Sequence, residues 1–430
     1  MQSTSLSLSK KVNAKWKWLN FIDWLLPVYI VCTIPLLFFG WNYDFLFKGV
    51  AIFATILYTL RFKLLQNKVF NIFTLFVLVV TFSFVQYLYN DRPIVCYFTE
   101  VSNYVATMLF FYVGASDDRP GKTFYHRFMI VMTVVFVIGL YYYLTTPGWY
   151  LSRNLEFINS TSAAQYNESN MLEKFRFSAF FGDSYPVSHF SVFCVAIAIF
   201  DIVYKKGKNK LLAIACLLVG VVSSFACMHR ASILGCVLSL LVIMFFNHKM
   251  GRYRYNLLIF VISLIMLAGL VSFSYTLTDR LDDLLGMLTE RVDDNMSLNK
   301  ALSERKFTKE LMDSMQFFIF GHGLGSGGGS VRAYGFPGIT DMQYIKMFFE
   351  NGIVGAVLFI GIMVRALRRG IKDIQYYMTE VSIILFILVA MLGSNSLSIY
   401  YFIVFPFWYA VGRLYNNQYH QRLKNSEWKY

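Results

Sequence analysis

The sequence predicts an all-α polytopic membrane protein, and three observations carry that expectation. Of its 430 residues, 57% are apolar, 18% aromatic and only 15% charged, which is more apolar surface than a soluble domain of this length can bury. Apolar stretches suited to a hydrocarbon core about 30 Å thick, which takes about 20 helical residues, recur along the chain. Short charged runs separate them, and Lys and Arg concentrate in alternate runs.

Twelve transmembrane helices are read, near residues 20–40, 45–60, 70–89, 94–114, 128–145, 186–204, 211–227, 231–247, 256–275, 343–364, 380–395 and 398–414. Residues 1–19 are polar and basic, with Lys10, Lys11, Lys15 and Lys17. They lead into the first span without a small-residue cleavage site, so that helix is expected to stay. The first nine spans fill 20–275, with Arg61 and Lys63 after the second, "KKGKNK" after the sixth and "HKMGRYR" after the eighth. The last three fill 343–414, with "RALRRGIK" after the tenth and a basic tail at 415–430. Short cytoplasmic loops collect Lys and Arg, so both termini and these runs are expected inside. The net charge of +14 is thereby spread over one membrane face, and no basic domain is left for nucleic acid.

Two connections are long, 146–185 and 276–342, and the alternation puts both on the outer face. In the second, Leu281, Leu284, Leu285, Leu288 and Val292 fall at helical intervals, and Ser303 caps a second amphipathic helix carrying Phe307, Leu311, Met315 and Phe318. These helices either lie on the membrane as a lid or simply cover the bundle. The stretch "FGHGLGSGGGSVRAYG" (320–335) follows. It has neither GxxxxGK[ST] nor a βαβ context, so any phosphate it wraps must be delivered by the membrane on that side. The six cysteines fall in or at the ends of spans and read as packing residues; no CxxC or HExxH suggests a metal site.

"DMQYIKMFFENGIVGAVLF" (341–359) after "GHGLG" resembles the signature that closes the large periplasmic loop in the O-antigen polymerase and O-antigen ligase superfamily, through Asp341, Tyr344, Glu350, Gly352 and Gly355. "SERKFTKEL" resembles the family's helix before the glycines, with Arg305 and Phe307 in register. "MHRASILG" resembles its S-R-[AST] turn and places Arg230 at an outer edge, with His229 where Ser is usual. "RFSAFFGDSYP" resembles its R-x-x-G-x-F segment and places Arg176, although Ala179 stands for Gly. The likeness covers roughly 170–365. It implies a GT-C-like, metal-independent and cofactor-free glycosyltransferase in the bacterial inner membrane, with its active site facing the periplasm. Its partners would be undecaprenyl-diphosphate-linked oligosaccharide as donor and acceptor, the bilayer and a chain-length regulator protein. A polymerase is the first expectation, from Asp341 in place of the ligases' His; a ligase acting on lipid A core and a lipid-linked oligosaccharide flippase are the alternatives.

A departing diphosphate needs its charge met, and without a metal arginines suit the task. Arg230 and Arg176 are the expected diphosphate ligands, with Arg305 and Arg332 behind them; the competing reading of each is a lipid-headgroup anchor. Asp341 is the expected base for the acceptor hydroxyl or, on the blander reading, the N-cap of the tenth span. His322 is the alternative base. Tyr344 lies one turn on, to stack on sugar or orient the carboxylate. Lys346 and Glu350, at i and i+4, either bind substrate or form a local ion pair. Lys48 and Glu100, inside their spans, either pair structurally or reach the diphosphate, and His229 completes the expected substrate-binding set.

Overall fold

The computed structural model describes residues 2–39, 44–67, 70–88, 92–119, 123–145, 176–181, 184–204, 210–227, 229–249, 260–261, 318–328, 331, 334, 343–392, 394, 396–397 and 401–416. These form an all-helical bundle: α1 (Gln2–Phe39), α2 (Asp44–Arg61), α3 (Asn71–Leu88), α4 (Ile94–Ser116), α5 (Thr123–Thr145), α6 (Ser184–Tyr204), α7 (Lys210–Ala226), α8 (Arg230–Lys249), α9 (Gln343–Lys372), α10 (Ile374–Ala390) and α11 (Tyr401–Tyr415). By length and composition α3, α4, α5, residues Ser184–Val203 of α6, and α9 can each cross a membrane, and α7, α8 and α10 contain shorter apolar helices. All the expected spans but the ninth fall on these helices. The ninth, apart from residues 260–261, lies outside the described residues, as do the two amphipathic helices of 276–317 and the tail beyond 416.

Several boundaries differ from expectation: α5 starts at Thr123 and α9 runs on to Lys372 through the basic run expected as a loop, and the differences at α1 and α10 have local reasons. α1 starts at Gln2, because the polar stretch 1–19, expected as a segment ahead of the first span, contains no Gly or Pro to stop a helix. α10 starts at Ile374 and ends at Ala390; six residues that read as loop continue the helix, and "GSNS" ends it before the expected boundary.

The exterior is apolar. Phe53, Phe82, Leu144 and Leu211 are 63%, 68%, 79% and 83% exposed, an arrangement that water penalises and lipid accepts. The interior holds the charges, including Asp117, Arg119, Lys346, Glu350 and Arg413. Helices approach closely where glycine allows it: a Cβ on Gly114 of α4 would stand 2.1 Å from the Tyr409 carbonyl oxygen, and one on Gly412 of α11 2.1 Å from that of Phe111. Any larger residue at either position would separate α4 from α11.

The end of the bundle nearest the amino terminus is tied by charge. Arg119 Nη1 reaches Asp23 Oδ2 at 2.8 Å and Nη2 reaches Asp117 Oδ2 at 2.7 Å. Tyr409 Oη donates to the same Asp117 oxygen at 2.6 Å, and Asn416 Nδ2 to the Asp117 carbonyl at 2.7 Å. Burial opposes the charge on Asp117, but Arg119, Arg413 and Tyr409 outweigh it and hold the carboxyl below its usual range. Lys15 pairs with Asp118 at 3.2 Å and Arg413 Nε with Glu380 at 3.2 Å, so α1, α4, α10 and α11 share one network.

Candidate functional site

At the opposite end, the glycine stretch answers for its own composition. Residues 318–328 dip beside α3, α4 and α9, and Gly321 and residues 323–328 are buried. The amides of Gly325 and Gly327 donate to Glu350 Oε1 at 3.1 and 3.2 Å. Amides that could cradle a phosphate therefore hold a carboxylate of the same chain. Lys346 Nζ stands 2.8 Å from Glu100 Oε1 and 3.8 Å from Glu350 Oε1, so one ammonium serves two buried carboxylates from α4 and α9.

The loop also repairs a break in α9. Gly352 has φ 62° and ψ −167°, a conformation closed to other residues without strain. The amides freed at the kink find new acceptors, Ile353 on the Phe318 carbonyl at 3.0 Å and Val354 on that of Ile319 at 3.2 Å. In return His322 and Gly323 donate to the carbonyls of Phe349 and Glu350 at 2.8 and 2.9 Å. Irregular backbone packed among apolar helices is tolerable because protein satisfies it. Phe318, Ile319 and Phe320, each about half exposed, face outward with the other apolar side chains.

A second cluster gathers where α6 begins, α7 gives way to α8, and α10 ends. Ser184 Oγ and His229 Nε2 are 2.9 Å apart. Tyr185 Oη donates to Ser394 Oγ at 2.5 Å and lies 2.9 Å from Ser396 Oγ. His189 Nδ1 is 3.1 Å from the Tyr185 carbonyl. The same Nδ1 stands 3.0 Å from Ser188 Oγ, while Nε2 is buried without a hydrogen-bond partner among the described residues. Burial, then the charge of Arg176 and the proximity of His189, push His229 down to about 3, so it is a neutral imidazole at physiological pH. Arg176 has no carboxylate within ion-pair distance among the described residues, and its buried Nε has no partner.

The expected site residues distribute as follows. Arg176 and His229 share this cluster, and Arg230, described by its backbone, is the first residue of α8 immediately after His229. Tyr344 donates to the Leu388 carbonyl at 2.7 Å and so ties the first turn of α9 to α10. Glu100, Lys346 and Glu350 belong to the glycine latch. His322 stacks on Phe349 at 4.3 Å; burial and then Arg92 lower its imidazole to about 4. Lys48 donates to Asn103 Oδ1 at 3.4 Å, and Glu100 takes Lys346 instead. Asp341, Arg305 and Arg332 lie outside the described residues. Two positions after Asp341, the Gln343 amide donates to the Met391 carbonyl at 3.1 Å, and Ser394, three residues further on, meets Tyr185. A short relay thus links the start of α9 to the turn before Arg230.

Sequence reasoning missed Ser184, Tyr185, His189, Ser394 and Ser396. The signal was there in "SYPVSH", where Tyr185 and His189 stand at i and i+4 on one helix face. Among the described residues no group of three His, Cys, Asp or Glu side chains could hold a metal ion. The chain matches no protein-family model and no curated protein sequence at a significant level.

Proposed function

We propose that the chain is a metal-independent glycosyltransferase of the extracytoplasmic membrane face, a surface-polysaccharide polymerase that moves a growing glycan from undecaprenyl diphosphate to a newly delivered lipid-linked repeat unit. The observation that carries this reading is the Arg176 guanidinium, which has no carboxylate partner among the described residues and stands beside a neutral His229 and a set of hydroxyls. An unopposed guanidinium suits a diphosphate, and neutral imidazoles and hydroxyls suit sugar hydroxyl groups. The sequence likeness around Arg230 and Asp341 points the same way, toward a GT-C-like enzyme of the bacterial inner membrane.

In the reaction, the acceptor hydroxyl oxygen bonds to the donor's anomeric carbon as the bond from that carbon to the phosphate oxygen breaks. The diphosphate leaves with the electron pair, Arg176 and Arg230 meet its charge, and Asp341 takes the hydroxyl proton. Lys346, Glu350 and Glu100 support the site through the glycine latch and do not touch substrate. Deleting the gene and reading the surface glycan tests the reaction: core carrying one repeat unit supports polymerase, bare core with accumulated lipid-linked polymer means ligase, and loss of extracytoplasmic lipid-linked units means flippase. Arg176→Ala and Arg230→Ala are each expected to abolish long glycan with the protein still in the membrane. A wild-type ladder from either would remove that residue from the mechanism.

A further inference from the structure

At the amino-terminal end of the bundle a cavity of about 290 Å³ lies between α1, the turn after α2, the end of α4 and the end of α11. Lys15, Lys63 and Asn416 form its polar wall, and Phe62, Phe70 and Tyr415 its apolar wall. Lys63 holds the left-handed backbone conformation, φ 51° and ψ 39°, which non-glycine residues rarely adopt. It is the residue between Phe62 and Leu64, both of which line the cavity, and it too lines it. Its ammonium has no carboxylate within ion-pair distance among the described residues, whereas Lys15 pairs with Asp118.

Two more cations stand at the same corner. Arg365 lies over the Tyr415 ring at 5.2 Å, and Arg369 Nη2 donates to the Asn416 carbonyl at 3.3 Å. The electronegative C-termini of α2, α4 and α11 also end here and hold part of this charge, roughly half a unit each when unscreened. Lys15 and Lys63 in the cavity wall, with Arg365 and Arg369 beside it, nevertheless make the corner basic. Among the described residues no carboxylate lines the cavity. A basic, amide-bearing mouth over an aromatic floor, on a bundle with an apolar exterior, suits an amphiphile whose polar end carries a phosphate.

We propose that this cavity binds the phosphate-ester headgroup of an anionic phospholipid in the leaflet at the amino-terminal end of the bundle. The site is separate from the outer-face cluster, and its test does not depend on the proposed reaction. Purified full-length protein would be placed in nanodiscs of phosphatidylcholine with or without phosphatidylglycerol, and the lipid it retains after gentle release counted by native mass spectrometry. Wild type should retain phosphatidylglycerol over phosphatidylcholine. Because one basic side chain near a lipid surface is worth about a fivefold change in binding, Lys63→Gln should lower retention about fivefold and Lys63→Glu about 25-fold.

Lys63 is exposed, so neither substitution should unfold the chain. Lys210→Glu, an exposed position at the start of α7, controls for bulk surface charge. Soluble glycerol phosphate separates the sources: failure to displace the lipid supports a lipid ligand, and displacement that Lys63→Glu abolishes supports the same anion site filled from solution. Equal retention of the two lipids, retention unchanged in Lys63→Glu, or an equal loss in Lys210→Glu would overturn the proposal.

Discussion

Replacing Lys346 with Met should be among the most damaging single substitutions in the bundle, and the geometry sets its size. Lys346 Nζ lies 2.8 Å from Glu100 Oε1 and 3.8 Å from Glu350 Oε1. At an effective dielectric constant of about 20 these separations correspond to about 6 and 4 kcal/mol of attraction before the opposing desolvation of all three groups. Met matches the side-chain length but leaves two carboxylates buried with no ammonium between them. Breaking a buried pair in this way costs about 3–5 kcal/mol. Unfolding by SDS titration from detergent micelles, followed by tryptophan fluorescence, measures the loss. The decisive comparison is Lys346→Met combined with Glu100→Gln. It removes one of the two stranded charges and should recover about half of the loss, while Glu350 keeps its glycine amides. A single substitution within about 1 kcal/mol of wild type, or a double variant no more stable than the single one, would refute the view that Lys346 holds the two carboxylates together.

Gly352→Ala should cost about 3 kcal/mol in the same titration, from the left-handed backbone and a Cβ 2.3 Å from the Ile319 carbonyl oxygen. Gly361→Ala, in the same helix with its nearest neighbour atom at 3.6 Å, should be neutral or stabilising by up to about 1 kcal/mol. His229 is held at about 3 in the folded state, below its ordinary 6.5, so the unfolded chain binds its proton first. The stability it contributes is complete above about pH 6.5 and is lost as pH falls toward 3. Thermal melts of His229→Gln across that window should therefore be flatter than wild type. Tyr409→Phe removes the 2.6 Å donor to Asp117 and should cost about 1.5–3 kcal/mol, with the added loss growing at neutral pH, where Asp117 is ionised.

Helices were legible because lipid requires every backbone amide to be satisfied within a span, so an apolar run of sufficient length has few other options. That logic located α3, α4, α6, α7 and α8 to within a few residues, while α5 begins earlier and α9 ends later than expected. It failed where the deciding partner is distant in sequence. Nothing in "GHGLGSGGG" says that its amides meet Glu350, because the pairing depends on the break at Gly352, and that break depends in turn on the same loop arriving to accept its amides. Lys346 and Glu350 read correctly as an i, i+4 pair, yet the shorter contact runs to Glu100, 246 residues away. The network on Asp117 and Arg119 was invisible for the same reason. A run such as "SDDR" (116–119) reads as a solvated loop until α1 and α11 close over it.

The two ends of the bundle also treat charge differently, and that contrast bears on where a ligand can act. At the amino-terminal end Asp23, Asp117, Asp118 and Glu380 each meet a cation, and Arg119 and Arg413 are almost fully buried among them. Charges so placed are committed to structure, because drawing one toward a ligand would strand its partner. At the opposite end, the latch of Glu100, Lys346 and Glu350 is equally committed. Arg176 pairs with no carboxylate among the described residues: in its cluster stand the uncharged His229 imidazole and hydroxyls that bond to one another, to imidazole nitrogens and to carbonyls. A guanidinium with no carboxylate partner among the described residues costs the fold least when an anion arrives, because no ion pair there has to be broken to receive it. Crosslinking that fixes the glycine loop to α4 should therefore leave an anion's access to Arg176 intact, whereas Lys346→Met, by loosening that loop, should weaken anion binding without touching the ligand. Equal binding of a polyprenyl diphosphate analogue to wild type and Lys346→Met would show that the latch and the arginine act independently.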